Sequence, residues 1–265
     1  MAEGVVSDSG PAGAKGRVIA VVGASSGIGR LVALFSAAAG DEVVLVARRK
    51  PLLEKVAEEV AARGNDSGAA ARRGPGGPGQ PVVVVADVRD DASARQIVDA
   101  AISAHGRLDV VVYAAGWNVP QRAMGEATIE SWRLIMDTNV TGAFLVTSAA
   151  LPVMRQQKSG LFVFVSSSGA KRPDRSGAAY QASKAGLAAL AHATMEEARD
   201  DGVRTTVVYP GTTDTPFLEH RPVPTDAEAR SKALKPEDVA SAVRFVVELP
   251  ARAYVPELLM FPSRN

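Results

Sequence analysis

The chain has 265 residues, of which 46% are hydrophobic and 22% charged, and this fits one large α/β domain with a sizeable core. Its formal net charge is +1, so neither nucleic acid nor an anionic membrane surface is predicted as a partner. The sequence has no cysteine, which excludes disulfides, thiol nucleophiles and thiolate metal sites. Its three histidines are scattered and show no ligand spacing, so no metal centre is expected.

The first 16 residues mix glycine, serine, alanine and acids, without the apolar segment of a secretory signal. We interpret residues 1–16 as a disordered tail in front of a single domain over residues 17–265. No downstream apolar run approaches the ~20 residues of a membrane span. The sequence therefore predicts a cytoplasmic protein that is not attached to a membrane.

Short β-branched runs alternate with helical stretches along almost the whole chain. Runs such as 82–85 lack two-residue alternation, as expected of parallel strands covered on both faces. Strands and helices that take turns predict right-handed βαβ units, hence an α/β, doubly wound Rossmann fold: a seven-stranded, mostly parallel sheet with helices on both faces. The predicted strands are 17–22, 41–47, 81–86, 108–113, 161–166, 203–209 and 257–261, and the predicted helices run to about 39 after the first strand and then cover 51–63, 91–104, 128–155, 178–199 and 236–248.

Two segments break this alternation. Residues 64–80 are rich in glycine, proline and arginine, which predicts a flexible surface insertion between a helix and a strand. Residues 212–235 are polar and contain several prolines, and they follow the carboxyl end of a strand, where doubly wound sheets bind ligands. We interpret this second segment as a substrate-side loop, with a plain connection as the alternative.

A glycine-rich turn joins the first predicted strand to the first predicted helix. Glycines permit a sharp turn and close approach of the backbone to a pyrophosphate, while the free N–H groups and dipole of the following helix face the anion. The strand–turn–helix context is what distinguishes a dinucleotide site from an ordinary tight loop. The residues predicted to contact the nucleotide are Gly23, Ser25, Ser26, Gly27, Ile28 and Gly29.

The end of the second predicted strand bears on the choice of cofactor. Enzymes that use NAD usually place an acidic residue about 20 residues past the glycine turn, where it binds the ribose 2′-hydroxyl. Here Ala47 stands at that place and is followed by Arg48 and Arg49. An acid would repel a 2′-phosphate, whereas arginines would bind it. The sequence therefore predicts NADP(H), with NAD(H) as the alternative.

A tyrosine and a lysine lie four residues apart in a predicted helix, so Tyr180 and Lys184 share one helix face. A cation ~4 Å from a phenol, at an effective dielectric of ~20, is worth about 4 kcal/mol, or roughly three pKa units. We therefore expect Lys184 to bring the pKa of Tyr180 towards neutrality, where an acid/base works best.

The Gly-x-x-x-Gly-x-Gly spacing of the turn and the Tyr-x-x-x-Lys pair together resemble the short-chain dehydrogenase/reductase family, in its single-domain NADP(H)-preferring branch. Val22 stands where the family has threonine, and Tyr113 and Ala114 replace an Asn-Asn pair whose second member braces the sheet. The resemblance implies further cofactor contacts at Asp87, Val88, Ala115, Gly116, Asn139, Tyr180, Lys184, Pro210, Gly211, Thr213 and Thr215.

The same resemblance implies four catalytic residues. Tyr180 would act as the acid/base and Lys184 would assist it. Ser167, thirteen residues before Tyr180, would bind the substrate oxygen and stabilise charge on it. Asn139, 28 residues before Ser167, would kink its helix and anchor a water that links Lys184 to solvent. Asparagine competes with helix hydrogen bonds, so its presence there indicates a purpose.

These features predict an NADP(H)-dependent oxidoreductase that transfers hydride between nicotinamide and a small carbonyl or alcohol substrate. An NAD-linked sugar or polyol dehydrogenase and a catalytically silent nucleotide-binding protein are the alternatives. A homodimer or homotetramer is expected by analogy with the family. The substrate is left open among aldehydes, keto acids and larger ketones, and the predicted pocket residues are Trp117, Asn118, Val119, Ala170, Phe217 and Leu218.

Overall fold

A computed structural model describes residues 16–66 and 80–263 of the chain. The predicted tail, apart from Gly16, and residues 67–79 of the predicted insertion lie outside the described residues. One boundary of that insertion was wrong: residues 64–66 are helical, because the second helix continues to Asp66 instead of ending near Arg63. The helix therefore continues three residues past Arg63, into the glycine-rich segment.

The described residues form a seven-stranded sheet in the order β3-β2-β1-β4-β5-β6-β7, and every pairing in it is parallel. The predicted Rossmann fold is confirmed, and the sheet is wholly rather than mostly parallel. The strand order reverses between β1 and β4, which places a ligand-binding crevice at their carboxyl ends. The strands are β1 Val18–Val22, β2 Glu42–Ala47, β3 Val82–Val85, β4 Val110–Tyr113, β5 Gly160–Val165, β6 Val203–Pro210 and β7 Glu257–Met260.

Helices cover both faces of the sheet and bury two hydrophobic clusters, one on each side. The helices are α1 Gly27–Ala38, α2 Lys50–Asp66, α3 Asp91–His105, α4 Ile129–Met136, α5 Gly142–Gln157, α6 Ala178–Ala198, α7 Ala227–Lys232 and α8 Pro236–Glu248. Helices α3, α5 and α6 pack on one face, and α1, α2 and α8 pack on the other. Strands β1, β2, β4 and β5 are almost fully buried, as the apolar runs predicted.

Strand β3 departs from the expectation that its valine run is covered on both faces. Val83 is 39% exposed and Val85 is 43% exposed, whereas Val84 between them is buried. β3 lies at the edge of the sheet, where neighbouring helices cover one face only. A run of four valines contains no polar residue that would mark the exposed face, so the sequence cannot distinguish an edge strand from a central one.

The long helix predicted over residues 128–155 is interrupted. Between α4 and α5 the chain makes a π-helical turn, Asp137–Thr141, with Asn139 at its centre. The hydroxyl of Tyr113 donates a 2.6 Å hydrogen bond to the carbonyl of Thr138 in this turn. Tyr113, which stands where the family has asparagine, therefore ties the end of β4 to the distorted helix.

The combined helix Ile129–Gln157 is long and apolar enough, by length and composition alone, to cross a membrane. The expectation that no apolar run approaches that length was therefore wrong. Val146, Ala150 and Met154 of this helix are buried in the core beside the sheet. Core helices of globular domains pass the same test of length and composition, so the helix gives only weak support for a membrane span.

Candidate functional site

A cleft of about 960 Å³ opens at the carboxyl edge of the sheet. It is lined by the turns that follow β1 to β6, together with the first two turns of α6. These are the turns that carry the predicted site residues, and they converge because parallel strands all end at one edge. Tyr180, Lys184 and Ser167 line the cleft together with the glycine turn.

The glycine turn packs so tightly that neither Gly23 nor Gly29 can be replaced by a residue with a side chain without a clash. Gly23 has a φ of +92°, and a Cβ atom on it would lie 2.6 Å from the amide nitrogen of Ala115. A Cβ on Gly29 would collide with the carbonyl oxygen of Gly23. The first turn of α1 contains no acidic residue, and the side chain of its N-cap, Ser26, makes no cap hydrogen bond. The helix N-terminus therefore offers N–H groups and positive potential to an anion.

The two arginines after β2 lie at the entrance of the glycine turn. Arg49 donates hydrogen bonds to the hydroxyls of Ser25, at 3.0 Å, and Ser26, at 2.8 Å. Arg48 lies over the ring of Trp117 and 3.8 Å from a carboxylate oxygen of Asp87. Arg49 thus has only neutral hydroxyl partners in the described part of the chain, which leaves its charge available to a phosphate.

Most of the remaining predicted nucleotide contacts line the cleft, and Asp87 does not. Val88 lines the cleft, whereas Asp87 lies beside it and forms an ion pair with Arg89 at 2.7 Å. That hydrogen-bonded guanidinium holds the pKa of Asp87 below its usual range. The residues that line the cleft as predicted are Ala115, Gly116, Pro210, Gly211, Thr213 and Thr215.

Tyr180 and Lys184 face the same part of the cleft, with the Lys184 Nζ 5.8 Å from the centre of the Tyr180 ring. Lys184 is buried and donates a 2.9 Å hydrogen bond to the carbonyl of Val165 at the end of β5. Burial lowers its pKa to about 8. Burial also raises the pKa of Tyr180 to about 12, and a hydrogen bond from Ser167 opposes that rise.

These directions contradict one expectation. Lys184 is not among the protein groups that lower the pKa of Tyr180, and desolvation has the largest effect on the pKa of both side chains. Arg122, Arg221 and the Ser167 hydroxyl are what lower the pKa of Tyr180, and none of them overcomes burial. Tyr180 is therefore protonated at neutral pH and suited to donate a proton.

The serines that end β5 have separate roles. Ser166 is buried and donates to the backbone carbonyl of Lys184 at 2.8 Å, so it fixes α6 against the sheet. Ser167 interacts with Tyr180 and also accepts a 3.2 Å hydrogen bond from the amide of Gly169. Ser167 therefore interacts with Tyr180, whereas the hydroxyl of Ser166 is engaged by the backbone of α6.

Asn139 is fully buried and connects the π-helical turn to the loop after β4. Its Oδ1 accepts from the amide of Trp117 at 2.7 Å, and its Nδ2 donates to the Trp117 carbonyl and to Ser183 Oγ. A Cβ on Gly116 would lie 3.6 Å from this Oδ1 and 3.3 Å from the Nζ of Lys184. Asn139 therefore holds the cleft wall beside Lys184 through its side chain.

The predicted substrate pocket is partly wrong. Trp117, Asn118, Phe217 and Leu218 line the cleft, whereas Val119 and Ala170 do not, because Ala170 packs against the core. The amide of Asn118 is also occupied, donating to the carbonyl of Ser176 at 2.9 Å.

Sequence reasoning missed several polar residues at this end of the cleft. They come from separate loops and carry no motif, so no local signal marked them. The residues are Arg122, Asp174, Arg175, Ser176, His220 and Arg221.

Comparison with known proteins agrees with this site. Residues 17–223 match the family model for short chain dehydrogenase. An uncharacterized oxidoreductase of Staphylococcus epidermidis is 30% identical over 248 residues, which cover 94% of this chain and 98% of that protein. The chain therefore belongs to the short-chain dehydrogenase family and is an oxidoreductase.

Solved structures of the same architecture hold nicotinamide cofactors. An alcohol dehydrogenase from the archaeon Thermococcus sibiricus, complexed with 5-hydroxy-NADP, superposes with a TM-score of 0.81 at 27% identity, covering 95% of this chain and 98% of that one. A 3-ketoacyl-(acyl-carrier-protein) reductase from Brucella melitensis, complexed with NADH, gives 0.79 at 27% identity, with 94% and 98% covered. A nicotinamide cofactor thus fits the family, and both its phosphorylated and unphosphorylated forms occur among the neighbours.

Proposed function

We propose that this protein is an NADP(H)-dependent carbonyl reductase that works through Tyr180, Lys184, Ser167 and Asn139. The observation that carries the proposal is the convergence of Tyr180, Lys184 and Ser167 on one cleft with a glycine turn that admits no side chain at Gly23 or Gly29. Such a turn at a helix N-terminus suits a dinucleotide pyrophosphate. The cofactor, when bound, supplies or accepts the hydride.

The four side chains have distinct tasks in this proposal. Ser167 donates a hydrogen bond to the substrate oxygen and stabilises the negative charge that develops on it. Tyr180, protonated because burial raises its pKa to about 12, donates the proton to that oxygen. Lys184 is held by its hydrogen bond to the Val165 carbonyl. Its positive charge stabilises the phenolate of Tyr180 that remains after proton transfer, and it binds the nicotinamide ribose. Asn139 keeps the wall beside Lys184 in place.

Replacement of Tyr180 tests the reaction. Tyr180→Phe removes only the hydroxyl, so we expect turnover with NADPH to fall by at least ~10³-fold while NADPH affinity changes less than about threefold. Tyr254→Phe, at a 42% exposed tyrosine that does not line the cleft, is the matched control and should keep full activity. Turnover retained by Tyr180→Phe would exclude this mechanism.

Preference for NADP(H) is proposed from the two arginines after β2. Among the residues that the structure describes, Arg49 binds only serine hydroxyls, and Ala47 instead of an acid ends β2, where an NAD enzyme would hold the ribose 2′-hydroxyl. Each charged hydrogen bond to a 2′-phosphate contributes about 1.5–3 kcal/mol. We therefore expect Arg49→Ser to weaken NADPH binding by about 10-fold or more in fluorescence titrations and to leave NADH binding unchanged. Tighter binding of NADH than of NADPH by the unmodified protein would refute the assignment.

A homodimer or homotetramer remains part of the proposal. Large apolar side chains are exposed on α4 and α5: Ile129 is 54% exposed, Trp132 39% and Phe144 53%. An apolar patch of this kind is typical of a surface that contacts another protein. Light scattering coupled to size-exclusion chromatography measures the assembly directly, and a monomer at micromolar concentration would contradict it.

A further inference from the structure

Two arginines from distant loops converge on the substrate end of the cleft. Arg122 follows β4, and Arg221 lies in the segment after β6. Both line the cleft with Tyr180, and both oppose the rise that burial causes in the pKa of its phenol. The two guanidinium groups also repel one another, which adds to the effect of burial in lowering the pKa of Arg122. They are therefore close in space although 99 positions apart in sequence.

Neither arginine is neutralised by a direct ion pair within the described residues. Arg221 donates to the hydroxyls of Thr225 and Thr212, at 3.4 and 3.2 Å. Arg122 has a buried Nε without a hydrogen-bond partner. Gly177 packs directly against Arg122, since a Cβ on Gly177 would lie 2.7 Å from the Arg122 carbonyl oxygen and 2.8 Å from the Arg122 Cβ. This close packing fixes the backbone and Cβ of Arg122.

Two other buried donors at this end of the cleft also lack a hydrogen-bond partner in the described part of the chain. The indole Nε1 of Trp117 and the hydroxyl of Ser176 are both buried and without partners among residues 16–66 and 80–263. Buried polar groups are almost always hydrogen-bonded in native proteins, so these unpaired donors on cleft-lining residues are compatible with a ligand that has acceptor atoms. Arg122 supplies a third such donor with a full positive charge.

We propose that the carbonyl substrate carries a carboxylate, bound between Arg122 and Arg221, so that the enzyme interconverts an oxo acid and a hydroxy acid. This inference rests on the proposed function and specifies its substrate. An oxyanion is the ligand that two guanidinium groups bind best, through paired N–H donors. The carbonyl of the same molecule then reaches Tyr180 and Ser167.

The balance of charge favours a monoanion over a phosphate ester. Asp174 lies near enough to Arg122 to act on its pKa in the upward direction, which offsets one of the two positive charges. At the exposed rim, Arg175 and Glu219 carry opposite charges. Asp174 thus reduces the positive potential between the two arginines, which favours the single negative charge of a carboxylate over the near-dianion of a phosphate.

Next to the arginines, an aromatic wall accommodates the carbon skeleton. The ring of Phe217 lies 5.8 Å from that of Tyr180 and 5.7 Å from that of His220, which in turn lies 4.5 Å from Trp117. The substrate therefore meets apolar rings between its charged end and its reacting carbon. This arrangement fits a small organic acid better than a polyhydroxylated sugar.

The test compares acids with their uncharged esters. Pyruvate, acetoacetate and levulinate place the carbonyl at three distances from the carboxylate, and each is assayed with NADPH beside its methyl ester. We expect at least one acid to exceed its ester in kcat/KM by about tenfold or more. Arg221→Met and Arg122→Met should each raise KM for that acid by about tenfold or more, with KM for the ester changed less than about threefold. Arg63→Met, on exposed α2, is the matched control and should change neither.

Two further readouts keep the result interpretable. Thermal unfolding and NADPH titration of both variants establish that the fold and cofactor site are intact. Inhibition of ester reduction by succinate and by inorganic phosphate, at saturating NADPH, distinguishes the two anions, and stronger inhibition by phosphate would overturn the carboxylate assignment. Equal use of acids and esters, unaffected by either variant, would overturn the inference and leave the proposed function standing. No NADPH oxidation with any of the acids, when an aldehyde or a larger ketone is reduced, would also overturn the inference alone, whereas no NADPH oxidation with any carbonyl compound would refute both.

Discussion

The glycine turn gives the sharpest structural prediction, because Gly23 carries two separate costs of substitution. Its φ of +92° is strained for any side chain, and the three atoms nearest to a Cβ added there, all within 2.8 Å, are backbone atoms of Ala114 and Ala115. Left-handed backbone costs alanine roughly 1–2 kcal/mol, and overpacking against a rigid neighbour adds about 1–3 kcal/mol. We therefore expect Gly23→Ala to lose about 2–5 kcal/mol of unfolding free energy.

Two other glycines separate these costs. Gly106 also has a positive φ, +71°, but nothing lies within 4 Å of a Cβ added to it, so Gly106→Ala should show the strain alone. Gly125 has neither feature, and Gly125→Ala should be neutral. At about 2–4 °C per kcal/mol for a domain of this size, the melting temperature should fall by about 4–20 °C, 2–8 °C and less than 2 °C for Gly23, Gly106 and Gly125 respectively.

Differential scanning calorimetry with NADPH titration measures both consequences. Gly23→Ala should also weaken NADPH binding, because the clash moves the loop that would approach the pyrophosphate. Gly106 lies between α3 and β4, away from the cleft, so Gly106→Ala should bind NADPH normally. The reasoning fails if Gly23→Ala is as stable as Gly106→Ala, since the backbone contact would then cost nothing.

Two further predictions concern buried polar groups. Burial lowers the pKa of Lys184 to about 8, from 10.5, so between these values the unfolded chain retains a proton that the folded protein has released. The unfolding free energy should therefore rise with pH across this window, by up to about 3 kcal/mol. Urea titrations at about pH 7 to 10.5 should show this rise for the unmodified protein and not for Lys184→Met. Parallel pH curves for the two proteins would contradict the prediction. Tyr113→Phe deletes the hydroxyl that donates to the Thr138 carbonyl at 2.6 Å and should cost about 1–3 kcal/mol in the same titrations, whereas an unchanged midpoint would mean that Tyr113 does not brace the helix.

Much of the fold and part of the candidate site were predictable from local sequence. Alternating apolar strands and amphipathic helices predicted the doubly wound sheet because parallel strands buried on both faces leave that pattern in any sequence. The glycine spacing predicted the turn because its geometry admits no side chain at Gly23 or Gly29. The four-residue interval between Tyr180 and Lys184 predicted a shared face because a helix repeats every 3.6 residues.

Tertiary structure decided what depends on burial and on contacts between distant segments. Whether the valines of β3 are covered is set by its place at the sheet edge, which a run of identical residues does not record. The pKa values of Tyr180 and Lys184 follow from desolvation by the whole cleft, so the spacing of the pair predicted the wrong direction for the phenol. Arg122 and Arg221 come together only because the loops after β4 and β6 end at one edge of the sheet, and long-range convergence of this kind leaves no motif in the chain.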